Sequence, residues 1–144
     1  MLKGYNYNNR NNISKFFKLK NNQWLKIEFS YHKKYNIWYE TAIIADSKRQ
    51  CNDCLNKSSN SSKRLYGKVT GNKLGLDGLK IALKELLNFE KTIHNTSISI
   101  IGANSRLNNI YKHYLIKYGY IEHDEVYNIK KFNVCTVSMD KEIH

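Results

Sequence analysis

Three features of this chain have the residue types for chemistry: a cysteine pair, a glycine-rich turn, and tyrosines interleaved with lysine. Cys51 and Cys54, in CNDC, have the spacing that supplies two of the four ligands a structural zinc site needs. No second CxxC and no HxxxH completes such a site, and the strand–helix setting of a redox pair is missing. With Cys135 the cysteines number three, and without a secretion signal they read as free thiols. The five histidines, at 32, 94, 113, 123 and 144, form no spaced ligand set, so no metal is expected. No nucleophile–His–acid triad can be placed either. The tyrosines in KYNIWY and IYKHYLIKYGY have faces on which bases stack, and at helical and strand spacing they equally serve as core and interface residues. The glycines of VTGNKLGLDG, residues 69 to 78, mark a tight strand-to-helix turn, which needs no ligand to explain it.

The elements that position these residues follow from periodicity. Residues 24 to 31, WLKIEFSY, alternate Leu25, Ile27, Phe29 and Tyr31 against Lys26, Glu28 and Ser30, the pattern of a half-buried strand. HKKYN turns the chain and IWYETAIIA, residues 37 to 45, returns it as an antiparallel hairpin. Apolar residues on both faces of the second strand, Trp38 and Ile44 among them, predict a sheet covered on both sides. Residues 46 to 63 are rich in Ser, Asn and Lys and read as a long polar loop. Residues 64 to 71 then read as a short strand. Leu79, Ala82, Leu83, Leu86 and Leu87 predict a helix over 76 to 92. Ile98, Ile100 and Ile101 predict a strand. Leu107, Ile110, Tyr111, Tyr114, Leu115 and Tyr118 predict a second helix over 105 to 118, capped by Asn104 or Ser105 and closed by Gly119. Two antiparallel strands follow, with a turn near His123–Glu125 or near Lys130–Lys131. The order is β-β-β-α-β-α-β-β and the class α+β: a mixed, mostly antiparallel sheet with two helices in the C-terminal half and none before residue 75. The unit at 65 to 102 implies one parallel pair. Residues 1 to 12, rich in Asn, read as a flexible segment or short edge, and 13 to 144 as one domain.

The stretch NSRLNNIY followed by KYGY resembles the GNAT family of N-acetyltransferases after its fifth strand. Asn104 and Tyr111 lie seven residues apart and Gly119-Tyr120 closes the segment. The interval from Tyr111 to Gly119 is four residues longer than in the family, close to one helical turn. The segment VTGNKLGLDGLKIAL matches the family's phosphate loop in part, with Asn72 and Gly75 in register and Gly78 able to take the second small position after a shift of one residue. Asp77 departs from it, placing a carboxylate where the loop has a small residue. The resemblance covers residues 65 to 120 and implies a GNAT-like core with acetyl-CoA as cofactor. Its pyrophosphate would sit at a helix N-terminus, where free N–H groups and the dipole favour an anion. On that reading Tyr111 protonates the departing thiolate, a task suited to a phenol with a pKa near 10. Backbone groups from Val69 to Gly71 hold the pantetheine arm, and Asn104 marks the strand splay that receives it.

Composition bounds the rest. At 144 residues the chain is long enough for one domain with a real core. No apolar run approaches the ~20 residues of a membrane span, and the polar N-terminus lacks a signal peptide's apolar centre, so the expected setting is the cytoplasm of a bacterium or phage-infected cell. The composition is that of a low-GC genome. Twenty-four Lys and Arg against twelve Asp and Glu give a formal charge of +12, which points to an anionic partner: a phosphorylated ligand, nucleic acid, or an acidic protein surface. Two functions are expected from this: ligand binding with acetyl transfer to an amine, or non-catalytic binding of nucleic acid, a nucleotide signal or a host-defence protein as a phage-borne inhibitor. A tyrosine-rich edge or helix face also suits a homodimer interface.

Overall fold

The computed structural model describes residues 2–56, 74–103, 106–129 and 132–144. The strands are β1 (Asn6–Asn9), β2 (Asn12–Lys18), β3 (Trp24–His32), β4 (Ile37–Ala45), β5 (Thr96–Ala103), β6 (Ile121–Ile129) and β7 (Phe132–Ile143). The helices are α1 (Lys48–Asn56), α2 (Leu74–Glu90) and α3 (Arg106–Lys117). The strands form one sheet in the order β1-β2-β3-β4-β5-β7-β6. Every neighbouring pair is antiparallel except β4 and β5. The fold is α+β.

Alternation along the strands builds a core on each face of the sheet. On one face Leu25, Ile27, Phe29, Ile98 and Ile100 are buried beneath Ala82, Leu86 and Phe89 of α2. Phe89 stacks on Phe29 with ring centroids 3.9 Å apart and meets Trp38 edge-on at 5.1 Å. On the other face Ile43 and Ala45 are buried with Cys51 of α1, and Phe16 and Trp24 pack against them. The second strand of the hairpin is thus covered on both sides, as its apolar pattern predicts.

The structure differs from the sequence expectations at four places. The expected loop at 46 to 63 begins with α1. Ser47 caps this helix by accepting the Gln50 N–H at 3.1 Å, while Gln50 Oε1 accepts the Asp46 N–H, an arrangement like a capping box. Cys51 anchors it, fully buried with its thiol against the carbonyls of Trp24 and Ile43. A helix therefore does precede residue 75. At the N-terminus, β1 and β2 pair as a hairpin, so Asn6–Asn9 is a short edge strand and Asn12–Lys18 a strand the periodicity missed. The parallel partner of β5 is β4; the strand expected at 64 to 71 lies outside the described residues. Finally, on α3 Leu115 is buried, but Tyr114 and Tyr118 are each 43% exposed, so the apolar stripe is narrower than its spacing suggests. Of the two turns expected in the C-terminal hairpin, His123–Glu125 lies within β6, and residues 130 and 131 lie outside the described residues.

Gly119 ends α3 in the way its sequence predicts. The Tyr120 N–H donates to the Leu115 carbonyl at 3.2 Å and the Gly119 N–H to the Ile116 carbonyl at 3.2 Å, the paired bonds of a Schellman cap. Leu115 and Tyr120 are both buried, supplying the apolar contact that accompanies this cap. Gly119 has φ of +92°, where a side chain strains the backbone. A Cβ there would meet Lys141 only at an ordinary 3.5 Å, so the cost of a substitution is conformational. Gly119→Ala is expected to lose about 1–2 kcal/mol, and Gly119→Asn less, because Asn tolerates this region. Urea unfolding midpoints with an unchanged m-value check both.

Candidate functional site

The parallel junction between β4 and β5 opens along its length. The two strands pair only from Ile37 with Ser97 to Glu40 with Ile100. Past that point β4 runs on to Ala45 beside β3, and β5 runs on to Ala103 beside β7. Among the described residues, 41 to 45 and 101 to 103 thus have a ladder on one side and none between them. Backbone N–H and C=O groups require partners when they leave water, and no described strand supplies them on this side of either strand. The paired end is fastened. Asn36, at φ +52°, accepts from the Ser97 N–H and the Thr96 hydroxyl through its carbonyl and donates its amide to the Asn95 carbonyl at 2.7 Å. The result is a split with a fixed vertex at Glu40 and Ile100, open at the carboxyl ends of both strands.

Two helices begin at the open end. Gly78, near the start of α2, lies against Ile44, while Phe89, near its end, lies against Trp38. The helix therefore runs antiparallel to β4, with its N-terminus toward the opening. α3 begins at Arg106, three positions beyond the last residue of β5. Both helices aim the positive ends of their dipoles at that side of the sheet. Gly78 has a packing reason as well: a Cβ on it would come 2.7 Å from Ile44 Cδ1, so the first turns of α2 approach the unpaired half of β4 as closely as glycine permits. Asp77, in the first turn of α2, is 29% exposed and 3.9 Å from Lys20. Its charge suits the helix dipole and opposes an anion at the same place.

Glu40 stands at the vertex, 3% exposed, on the face covered by α2 and opposite Phe29. Two buried tyrosines share that face. Tyr5 donates to Glu85 at 2.9 Å and Tyr120 to Glu90 at 2.7 Å. Burial holds both phenols well above their ordinary pKa; the bonded Glu85 and Glu90 carboxylates, and the charge of Glu40, push in the same direction. Both therefore stay protonated, and they serve as structural donors. Lys141 closes the second pair by contacting Glu90 at 3.0 Å, tying β7 to α2. A groove of about 590 Å³ lies at the opposite end of β5, with Ser97 and Ser99 on its floor and Asp140 and Glu142 at its side. Lys141 lines it as well.

The residues singled out by sequence distribute as follows. Tyr111 lies on α3, and Gly75 and Gly78 in the first turns of α2. Val69, Gly71, Asn72 and Asn104 lie outside the described residues. The sequence reading missed Glu40 and the open half of β4, both within the hairpin it placed correctly. The available signal was the Glu in IWYETAIIA, which alternation puts in line with Trp38, Ala42 and Ile44 on the helix-covered face. Among the described residues no group of three or more His, Cys, Asp or Glu is placed to hold a metal, and no helix is long and apolar enough to cross a membrane. Comparison with protein-family models, curated proteins and solved structures finds no significant match.

Proposed function

We propose that the protein is a GNAT-like ligand-binding protein whose split between β4 and β5 takes acetyl-CoA or a similar phosphorylated pantetheine. The observation that carries this is the parallel ladder ending at Glu40 and Ile100 while both strands continue. The amides of a pantetheine arm complement the strand edges left open there, and the starts of α2 and α3 favour the phosphates. The sheet order, its single parallel junction and the seven-residue spacing of Asn104 and Tyr111 support the same reading. Residues 41 to 45 and 101 to 103, with Gly75 and Gly78 at the start of α2, would hold the ligand. When bound, it supplies an acetyl group activated as a thioester. Glu40, at the vertex, is the candidate to accept the proton from an attacking amine, and Tyr111 on α3 the candidate to return one to the leaving sulfur.

Calorimetric titration with acetyl-CoA tests the binding, with saturable heat expected below millimolar ligand. Asp77→Asn sharpens the test because its two effects have opposite signs. Removing a carboxylate beside the phosphates should tighten binding about threefold to tenfold. Removing it from the first turn of α2 should lower stability by about 0.3–1 kcal/mol. Absence of heat with the native chain would remove this reading.

A further inference from the structure

The excess positive charge is gathered in part on the face away from α2, where β2, β3 and α1 meet. Lys48, the first residue of α1, holds its ammonium 4.6 Å from the Trp24 ring and 5.5 Å from the Phe16 ring. Lys18 lies 5.6 Å from the same Trp24 ring. Lys26 lies 5.6 Å from Phe16, but its charge is met by Glu28 at 3.2 Å and its amine donates to Asn52. Lys18, Lys48 and Arg49 are exposed and make no ion pair among the described residues. An aromatic ring orders an ammonium without neutralising it. The rings thus fix two cations in place while their positive potential stays available to an anion. The start of α1 carries Lys48 and Arg49 and no acid in its first turn, against the preference of the dipole. Its Gln50 N–H is already taken by Ser47, so side chains, not the helix end, would make the contacts.

We propose that this Lys18–Trp24–Lys48–Arg49 surface binds the phosphate backbone of single-stranded nucleic acid without sequence preference. Several separate cations on one face suit a chain of phosphates, and an aromatic ring between two of them suits the bases that lie beside it. The inference is independent of ligand binding in the strand split. It adds a location to the charge, which in the sequence is spread along the whole chain.

Fluorescence anisotropy of a labelled mixed-sequence DNA strand of about 20 nucleotides, measured across salt concentrations, tests it with the 144-residue chain. Binding is expected at about 50 mM salt, with log K falling against log salt at a slope near −2, about 0.7 for each of three phosphates. Lys18→Glu with Lys48→Glu should weaken binding about tenfold or more and flatten the slope by about 1.4. Lys33→Glu with Lys34→Glu makes the same charge change at the far end of β3 and should weaken binding less than about twofold. All four positions are exposed, and circular dichroism confirms that each variant is folded. No binding at low salt, or equal losses in the two double variants, overturns the proposal. So does displacement of the strand by polyglutamate as readily as by unlabelled DNA at matched charge.

Discussion

Phe89→Ala is expected to lower the unfolding free energy by about 3–5 kcal/mol, the range for removing a large buried aromatic. Phe89 is 2% exposed, stacks on Phe29 of β3 and meets Trp38 of β4 edge-on. One ring therefore seats the last turn of α2 on the two central strands. Its loss leaves a cavity between a helix and a sheet that are both held elsewhere, so collapse is limited. Domains of this size have about 5–15 kcal/mol in total, and the variant should be partly unfolded under mild conditions. Phe89→Leu keeps most of the volume and should cost much less, about 1–1.5 kcal/mol. Urea titration followed by circular dichroism measures both. A loss below about 1 kcal/mol for the alanine variant would mean that α2 is not seated by this ring.

On the proposed acetyl-transfer reading, Glu40→Gln is expected to remove transfer while leaving binding in place. Transfer forms an N–C bond, breaks the C–S bond, and requires a proton to leave the amine. Glu40 is the buried carboxylate at the vertex where the open strands meet. A positioned base contributes about 10²–10⁴ in rate, so kcat should fall by about that factor. The acetyl-CoA dissociation constant should move less than about threefold, since the amide keeps the shape of the carboxylate. Release of free thiol across a panel of primary amines gives the rate. Loss of kcat with the dissociation constant nearly unchanged is a split that a purely structural glutamate would not produce. Equal activity of native and variant chains would take Glu40 out of the chemistry.

Much of the fold is legible in the sequence where one physical signal acts alone. WLKIEFSY alternates cleanly, and the structure pairs it with IWYETAIIA as β3 and β4, antiparallel as expected. The leucine pattern of α2 and the glycine that ends α3 read equally directly, because burial and a positive φ each leave a specific residue type behind. The misses have physical causes too. α1 carries Cys51, Cys54 and Leu55 at helical spacing inside a polar stretch, and a buried thiol such as Cys51 packs as a small apolar group that composition alone conceals. β1 is exposed along its length, and β2 places Ile13 and Phe17 against one core and Phe16 against the other, so neither shows the one-sided apolar alternation that announces a strand. The partner of β5 was misread because sequence shows that a strand is parallel but not to which neighbour. β4 and β5 are joined through α1 and α2, and only the folded chain reveals that they meet at one end and part at the other.

The central claim is that a pantetheine-type ligand sits between the parted ends of β4 and β5. The most direct measurement is an amide chemical-shift titration of the isotope-labelled protein with acetyl-CoA up to about 1 mM. The account predicts saturable shifts concentrated at residues 41 to 45 and 101 to 103 and in the first turns of α2 and α3, with Lys18, Trp24 and Lys48 little changed. No shifts at that concentration, or shifts confined to the Lys18–Lys48 face, would contradict it, the latter because it would reduce the ligand to one more polyanion on a basic surface.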